Sequence, residues 1–334
     1  MKMENEIRRT LDELVARYVL EPDLRDIYVE GKTDKLFLEW FLRNRGIEDI
    51  AVYEIETVDI SADKLFEPQL KDNKWFLINR SIEDIAVYEI ETVDISAERL
   101  FELQLKDNNR SRVITLALYL QDKFPETTPH VICIADKDFD WLFDITYQCD
   151  LLFFTDYSCL EMYLFNETVL NKVLLLSLRI SELTAINILN QLSKVLEDLF
   201  LIRAAKESLN INIAMLDNFG KCCNWNKAKT EFQFDIETYI EKYLNKCSMR
   251  LEKSIFVAKI EELRIKAKEL EDTRYKIHGH DFTELLYLYI KDFLRRELKS
   301  YNAEILAGTL LGSIDAEELC KETMFQSLLI RLTE

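Results

Sequence analysis

Residues 130–140 read H-V-I-C-I-A-D-K-D-F-D, and this stretch limits the fold more than any other. Val131 to Ala135 is a short apolar run rich in β-branched side chains. A run without polar alternation suits a strand buried on both faces of a parallel sheet. It stops abruptly at three alternating acids, Asp136, Asp138 and Asp140. Ligands of open α/β sheets bind beyond the carboxyl ends of the strands. Acids gathered there repel one another unless a positive charge lies between them. A divalent cation held by carboxylate oxygens meets that need; a solvated acidic loop is the plain alternative.

The same pattern stands earlier in the chain. Asp26-Ile27-Tyr28-Val29-Glu30-Gly31 reads as a strand that ends in an acid and a glycine. Lys32 to Arg43 follows as a helix, with Leu36, Phe37, Trp40 and Phe41 as its expected buried face and Thr33 or Asp34 as its cap. Glu30 thus sits at a strand end beside a helix start, and Gly31 lets backbone approach what Glu30 holds. The alternative for Glu30 is a carboxylate set against the helix dipole. Upstream, Glu4 to Leu20 has helical spacing, with Ile7, Leu11, Leu14, Val15 and Tyr18 on one side.

A tandem repeat follows. Ile47 to Asn73 recurs at Ile82 to Asn108, an offset of 35, and only Asp63/Glu98, Lys64/Arg99 and Pro68/Leu103 differ. Two copies point to duplication rather than to a solenoid, which needs more. Each copy reads as a strand (Ala51 to Ile55, Ala86 to Ile90) and a short helix (Ala62 to Leu70, Ala97 to Leu105). One copy suffices for a strand–helix step, so the other is expected as an insert at a sheet edge or on the surface. The sequence does not say which copy joins the sheet.

Asn109 to Phe124 is expected as a helix with Val113, Leu116, Ala117 and Leu120 inward, and with Arg110, Arg112 and Lys123 as a modest basic patch. Trp141 to Tyr147 reads as a short helix and Asp150 to Thr155 as another buried strand. In Tyr157-Ser158-Cys159-Leu160-Glu161, Ser158 and Glu161 have capping-box spacing, so Glu161 is either a cap or a metal ligand. Beyond residue 165 Leu, Lys and Glu dominate. Leu170 to Leu178, Leu183 to Leu209, Phe234 to Tyr243 and a long charged stretch, Arg250 to Lys276, have helical spacing. Ile277 to Glu284 interrupts them with a second capping-box spacing, Asp281 with Glu284, as a helix start. Its sharper reading is a turn that offers Lys276 or His280 to the acidic site as a substrate contact.

Composition narrows the class. A chain of 334 residues with 48% hydrophobic and 31% charged residues fits a globular protein of two domains, drawn here as 1–165 and 166–334. The seven cysteines show no C-x-x-C spacing, no secretory signal opens the chain, and no apolar run spans a bilayer. A reduced, cytoplasmic protein without a membrane partner is expected. The formal charge of −18 argues against coating nucleic acid by bulk attraction, so such a substrate requires a local basic patch, bridging ions or a partner subunit.

The parallel sheet then carries Glu30, Asp136 with Asp138, and Glu161 after its last strand. This group can hold one or two Mg²⁺ ions, with Mn²⁺ as a substitute, to align a phosphodiester and activate water. Glu30 could also shuttle a proton, and Asp34, one helical turn on, could reach the same ion. Glu30-Gly31-x-x-Asp34 after one strand and Asp136-x-Asp138 after a later one resemble the Toprim signature. Tyr157-Ser158-x-x-Glu161-x-Tyr163-Leu164 is similar to a stretch of the Toprim branch that includes OLD-like nucleases and AriB-like phage-defence effectors, although Met162 stands where that branch has Asn or Asp. The likeness covers about residues 26–165, and Gly279-His280-Asp281 is its one further marker. It implies a Toprim-like α/β catalytic domain followed by a mainly helical domain, with Glu30 and Asp34 catalytic and Glu30, Asp136, Asp138 and Glu161 on the metal. The expected activity is Mg²⁺-dependent cutting of tRNA or other RNA, with DNA open, by a toxin that an ATPase subunit holds and that can self-associate as a homodimer. A D-x-D phosphatase and a non-catalytic metal-binding scaffold are the rivals; Asp140, where such phosphatases carry Thr or Val, and Glu30 speak against the first.

Overall fold

The computed structural model describes residues 8–47, 85–125, 129–216, 219–226, 231–294 and 301–333. They form two compact units. The first takes the described parts of Met1–Asp136 with Tyr147–Thr155 and Leu319–Glu334; the second takes Lys137–Thr146 and the described parts of Asp156–Glu318. The chain passes between the units more than once, whereas composition divides it once, at residue 165.

The first unit is built on four parallel strands, β1 (Arg25–Val29), β2 (Ile85–Glu89), β3 (Val131–Ala135) and β4 (Leu152–Phe154), in the order β2-β1-β3-β4. Every residue of β3 is buried, which is why its sequence shows no alternation. Helices α1 (Leu11–Leu20), α2 (Lys32–Asn44), α3 (Ala97–Glu102) and α4 (Asn109–Lys123) accompany the sheet. On α4, Val113, Leu116, Ala117 and Leu120 are all buried, as their spacing predicts. The mixed α/β class with a parallel sheet and flanking helices therefore holds.

Two expectations for the first helices shift. Helix α1 begins at Leu11, not at Glu4, because Thr10 and Glu13 form a reciprocal cap: the Glu13 N–H donates to Thr10 Oγ1 (3.3 Å) and the Thr10 N–H to Glu13 Oε2 (2.7 Å). Ile7 lies outside the described residues. On α2 the buried set is Phe37, Leu38, Glu39, Phe41 and Leu42, while Leu36 is 55% exposed and Trp40 half-buried. The reason is remote in sequence: Phe325, on the helix Thr323–Thr333, meets Phe41 at 4.6 Å and Phe37 at 6.2 Å between ring centroids. Below the sheet's start, buried Asp26 accepts from Tyr18 Oη (2.8 Å) and pairs with Arg17 (3.3 Å), tying α1 to β1.

The second repeat copy joins the sheet. It supplies β2, in register with β1 from Arg25↔Ile85 to Val29↔Glu89, and then α3. Among the described strands β2 is an edge, which fits a segment that can be duplicated without disturbing the centre. The expected strand Ala51–Ile55 and helix Ala62–Leu70 of the first copy lie outside the described residues. The repeat also reaches further upstream than its near-identical part: Trp40-Phe41-Leu42-Arg43-Asn44-Arg45-Gly46 returns as Trp75-Phe76-Leu77-Ile78-Asn79-Arg80-Ser81 at the same offset of 35. The duplicated unit thus includes the end of α2. One of the few differences favours the second copy. The Leu103 N–H closes α3 on Arg99 O (3.3 Å), and Pro68, its counterpart, has no N–H to give.

The second unit is mainly helical, with α5 (Ala185–Ser208), α6 (Ile236–Lys246), α7 (Lys253–Ala267) and α8 (Gly279–Leu294) as its longer elements. The helix expected over Arg250–Lys276 is broken. Helix α7 stops at Ala267, and a separate turn, Thr273–Lys276, starts where the Asp272 side chain accepts from the Arg274 N–H (2.9 Å). Asp competes with the helical backbone in this way. Leu170–Leu178 likewise divides into Glu167–Lys172 and a wider turn, Val173–Ser177. A small antiparallel pair, Cys223–Trp225 with Phe232–Phe234, has too few residues to announce itself in the sequence.

Candidate functional site

The order of the strands marks one place on the sheet. Among the described strands of this sheet, β2 follows β1 in sequence and lies on one side of it; β3 follows β2 and lies on the other side of β1, and β4 follows outward from there. β1 and β3 are therefore neighbours whose successors lie in opposite directions. This is the topological switch point at which open parallel sheets bind ligands, beyond the strands' carboxyl ends. Glu30 follows β1 and Asp136 follows β3.

The two residues are joined. The Asp136 N–H donates to Glu30 Oε1 (2.8 Å), although 106 positions separate them in the chain. Glu30 therefore spans the crevice instead of turning back to α2, and the cap of α2 falls to Asp34, whose Oδ2 accepts from the Gly31 N–H (3.1 Å). The first two residues of α4 close the circuit. Asn109 Nδ2 donates to Glu30 O (2.8 Å) and Arg110 Nε to Asp136 O (2.7 Å). The Arg110 guanidinium also lies over the Phe154 ring at the end of β4, 5.7 Å from its centroid. Four residues from three elements thus fix both acid-bearing strand ends against each other.

This corrects the expected basic patch on α4. Arg110 is bound to the Asp136 backbone, Arg112 pairs with Asp107 (2.8 Å) and Lys123 with Asp122 (3.9 Å), so the three cations answer local groups. Asn109 was not singled out by sequence, since an Asn within a helix's first turn has no signature of its own.

The other candidates belong to the second unit. Asp138 adopts a left-handed backbone (φ 45°), tolerable for Asp, and its N–H donates to Ser158 O (2.7 Å). Lys137 Nζ donates to Asp156 O (2.9 Å); burial holds its pKa below the usual lysine value, against the pull of Asp156 and Asp140. Ser158 is buried and caps nothing. Its hydroxyl is shared between the carbonyls of Ile277 and Arg274, the latter at 3.1 Å, so the expected Ser158–Glu161 capping box does not form. Tyr163 Oη accepts from the Asp156 N–H and donates to Asp156 Oδ2, both at 2.9 Å.

Glu161 instead lies against the start of α8. A Cβ placed on Gly279 would come within 2.5 Å of Glu161 Oε2, so only glycine lets this carboxylate pass. Such a position, beside a helix N-terminus, favours negative charge. Asp281 is already inside α8 and is no cap either: Arg203 of α5 grips it through Nε (2.7 Å) and Nη2 (2.6 Å). Lys276 is buried, with Glu197 at 3.6 Å, and His280 is exposed. Burial, with Arg203 adding to it, lowers the His278 pKa to about 4, so its imidazole is neutral.

Among the described residues no group of three or more His, Cys, Asp or Glu side chains is placed to hold a metal ion. The donor chemistry of the crevice nevertheless fits a hard cation. Mg²⁺ takes oxygen ligands and commonly binds one or two carboxylates, completing its shell with waters and substrate phosphates. Glu30 and Asp136 supply two such carboxylates at neighbouring strand ends, and one oxygen of Glu30 accepts from the Asp136 N–H.

No protein-family model matches the chain, and a search of curated proteins finds no match. Among the described residues no helix is long and apolar enough to cross a membrane.

Proposed function

We propose that the protein is a Mg²⁺-dependent nuclease of Toprim type, hydrolysing phosphodiester bonds at the crevice between β1 and β3. The observation that carries this reading is the hydrogen bond from the Asp136 N–H to Glu30 Oε1 (2.8 Å), which draws two distant acids to the switch point of the sheet. Glu30 and Asp136 would hold the ion. Once bound, the ion supplies alignment of the phosphate and activation of a water. Glu30 has a second task, keeping the Asp136 backbone at the crevice. Asp34 fixes the Glu30–Gly31 turn by accepting from the Gly31 N–H, so its contribution to the reaction is to hold Glu30 in place. Asp138 and Glu161 carry the same family likeness and are held in the second unit by contacts of their own.

The likeness to OLD-like and AriB-like effectors supports RNA such as tRNA as substrate, phage defence as the setting and an ATPase subunit as partner. The charge of −18 agrees with a toxin that has little general attraction to nucleic acid and relies on a partner and on bridging ions. The test is cleavage of tRNA and of plasmid DNA with Mg²⁺, with EDTA, and by Glu30→Ala and Asp136→Ala. Metal-dependent cutting of tRNA that both substitutions abolish is the expected result. Cutting of DNA alone would change the substrate. Cutting that survives both substitutions would remove the crevice from the chemistry and leave a scaffold protein.

A further inference from the structure

We infer that Asn109 and Arg110 are positioning residues for the acid pair, and that they set its affinity for a divalent cation without touching the ion. This rests on the reading of the crevice as a metal site. Three observations carry it. First, both residues bind backbone carbonyls of the two acid-bearing residues, Asn109 that of Glu30 (2.8 Å) and Arg110 that of Asp136 (2.7 Å). Second, the two are consecutive on α4, so one rigid element sets the distance between the two strand ends. Helix α4 is itself anchored at its start by Asn108 Oδ1, which accepts from the Ser111 N–H (2.8 Å), and along its length by the buried face Val113, Leu116, Ala117 and Leu120. Third, a direct link between the two strand ends, from the Asp136 N–H to Glu30 Oε1, uses a carboxylate oxygen of the acid pair itself.

The physical consequence follows from that third link. A cation competes with the Asp136 N–H for the electron density of the Glu30 carboxylate. If the strand ends were free to drift, Glu30 could keep its backbone bond and turn away from the ion. With both carbonyls clamped to α4, the carboxylates stay at the crevice whether or not an ion is bound, and the cost of ordering them is met in folding. Partners of this kind, one bond removed from a metal, typically carry about 10–100-fold in metal affinity. Arg110 is itself steadied by its guanidinium lying over the Phe154 ring, 5.7 Å from its centroid.

The test measures Mn²⁺ binding to the full chain by electron paramagnetic resonance, in the wild type, Asn109→Ala, Arg110→Ala and Arg110→Lys, with circular dichroism to show that each is folded. Wild-type binding weakened about tenfold or more by Asn109→Ala and Arg110→Ala, with partial recovery in Arg110→Lys, is the expected result. The EPR line shape should broaden in Asn109→Ala, a readout that general loss of stability would not produce. If the wild type binds and Asn109→Ala and folded Arg110→Ala bind equally well, the positioning role is wrong and the metal site stands. If the wild type binds no Mn²⁺, the metal site itself fails and the positioning role with it. Should Arg110→Ala prove unfolded, Asn109→Ala and Arg110→Lys decide between the first two outcomes.

Discussion

The crevice of the first unit and the Arg203–Asp281 cluster of the second hold acids in opposite ways. In the crevice, Glu30 and Asp136 are engaged through backbone groups: an N–H on one carboxylate, and side chains on two carbonyls. In the cluster, Asp281 is buried and its charge is met directly by a forked guanidinium at 2.6 and 2.7 Å. The first arrangement fixes where the acid-bearing backbone stands. The second spends the charge on stability. Acids of both kinds look alike in the sequence, and only the structure shows that one is gripped by a guanidinium and the other joins two strand ends.

The largest expected effect sharpens that contrast at the crevice. Glu30→Gln should lower cleavage by about 100-fold or more, measured as initial rates on labelled tRNA, with the thermal midpoint nearly unchanged. A large fall in the midpoint with activity retained would reverse the assignment. At the cluster the signs should exchange. Arg203→Ala leaves a buried carboxylate without its counter-charge and should cost about 3–5 kcal/mol, read from urea unfolding. Gly279→Ala, next in size, forces Glu161 aside and should cost about 1–3 kcal/mol by overpacking. If it also removes cleavage while the fold survives, Glu161 belongs with the acids proposed for the metal.

A third acid tests the contrast through pH. Glu39 on α2 is buried, and its Oε1 has no hydrogen-bond partner. Burial raises its pKa above the usual carboxylate value, with Lys35 and Arg43 pulling it back and Glu89 adding to the rise. A carboxyl with a raised native pKa contributes fully below its unfolded pKa, about 4.3, and that contribution is lost as pH rises through the native value. Toward neutral pH the Glu39 carboxyl is therefore a cost to the native state. Glu39→Gln should raise the thermal midpoint by about 2–4 °C near pH 7, and the gain should vanish in acid. A gain that persists below about pH 4 would mean that packing, not charge, is responsible.

The smallest expected effect concerns the repeat. Removing residues 47–81 joins Gly46 to Ile82, restores the sequence that already follows Gly46 for several residues, and leaves α2, β2, α3 and the clamp on α4 intact. Stability should equal that of the parent or exceed it by about 2 kcal/mol at most, from the shorter connection. Loss of the fold would show that the first copy is a structural part.

Strands β1 and β3 and the acids after them were legible because burial on both faces erases alternation, and such runs end visibly at a charge. What escaped was set by partners far along the chain. The buried face of α2 is turned by Phe325, which no local pattern on α2 reports. Ser158 and Glu161 have the spacing of a cap, yet Ser158 answers the carbonyls of Arg274 and Ile277 and Glu161 passes Gly279. The clamp was missed for the same reason: Asn109 and Arg110 act on backbone carbonyls, and every residue has one.

The edge strand β2 has a rehearsed counterpart earlier in the same polypeptide. During synthesis the residues of the first copy leave the ribosome before those of the second, and β1 is already waiting. The two copies are near-identical in sequence, and the second has at Leu103 an N–H that Pro68 of the first lacks. A newly made chain carries both copies before the sheet beside β1 is complete, so the order of synthesis bears on how this sheet is assembled.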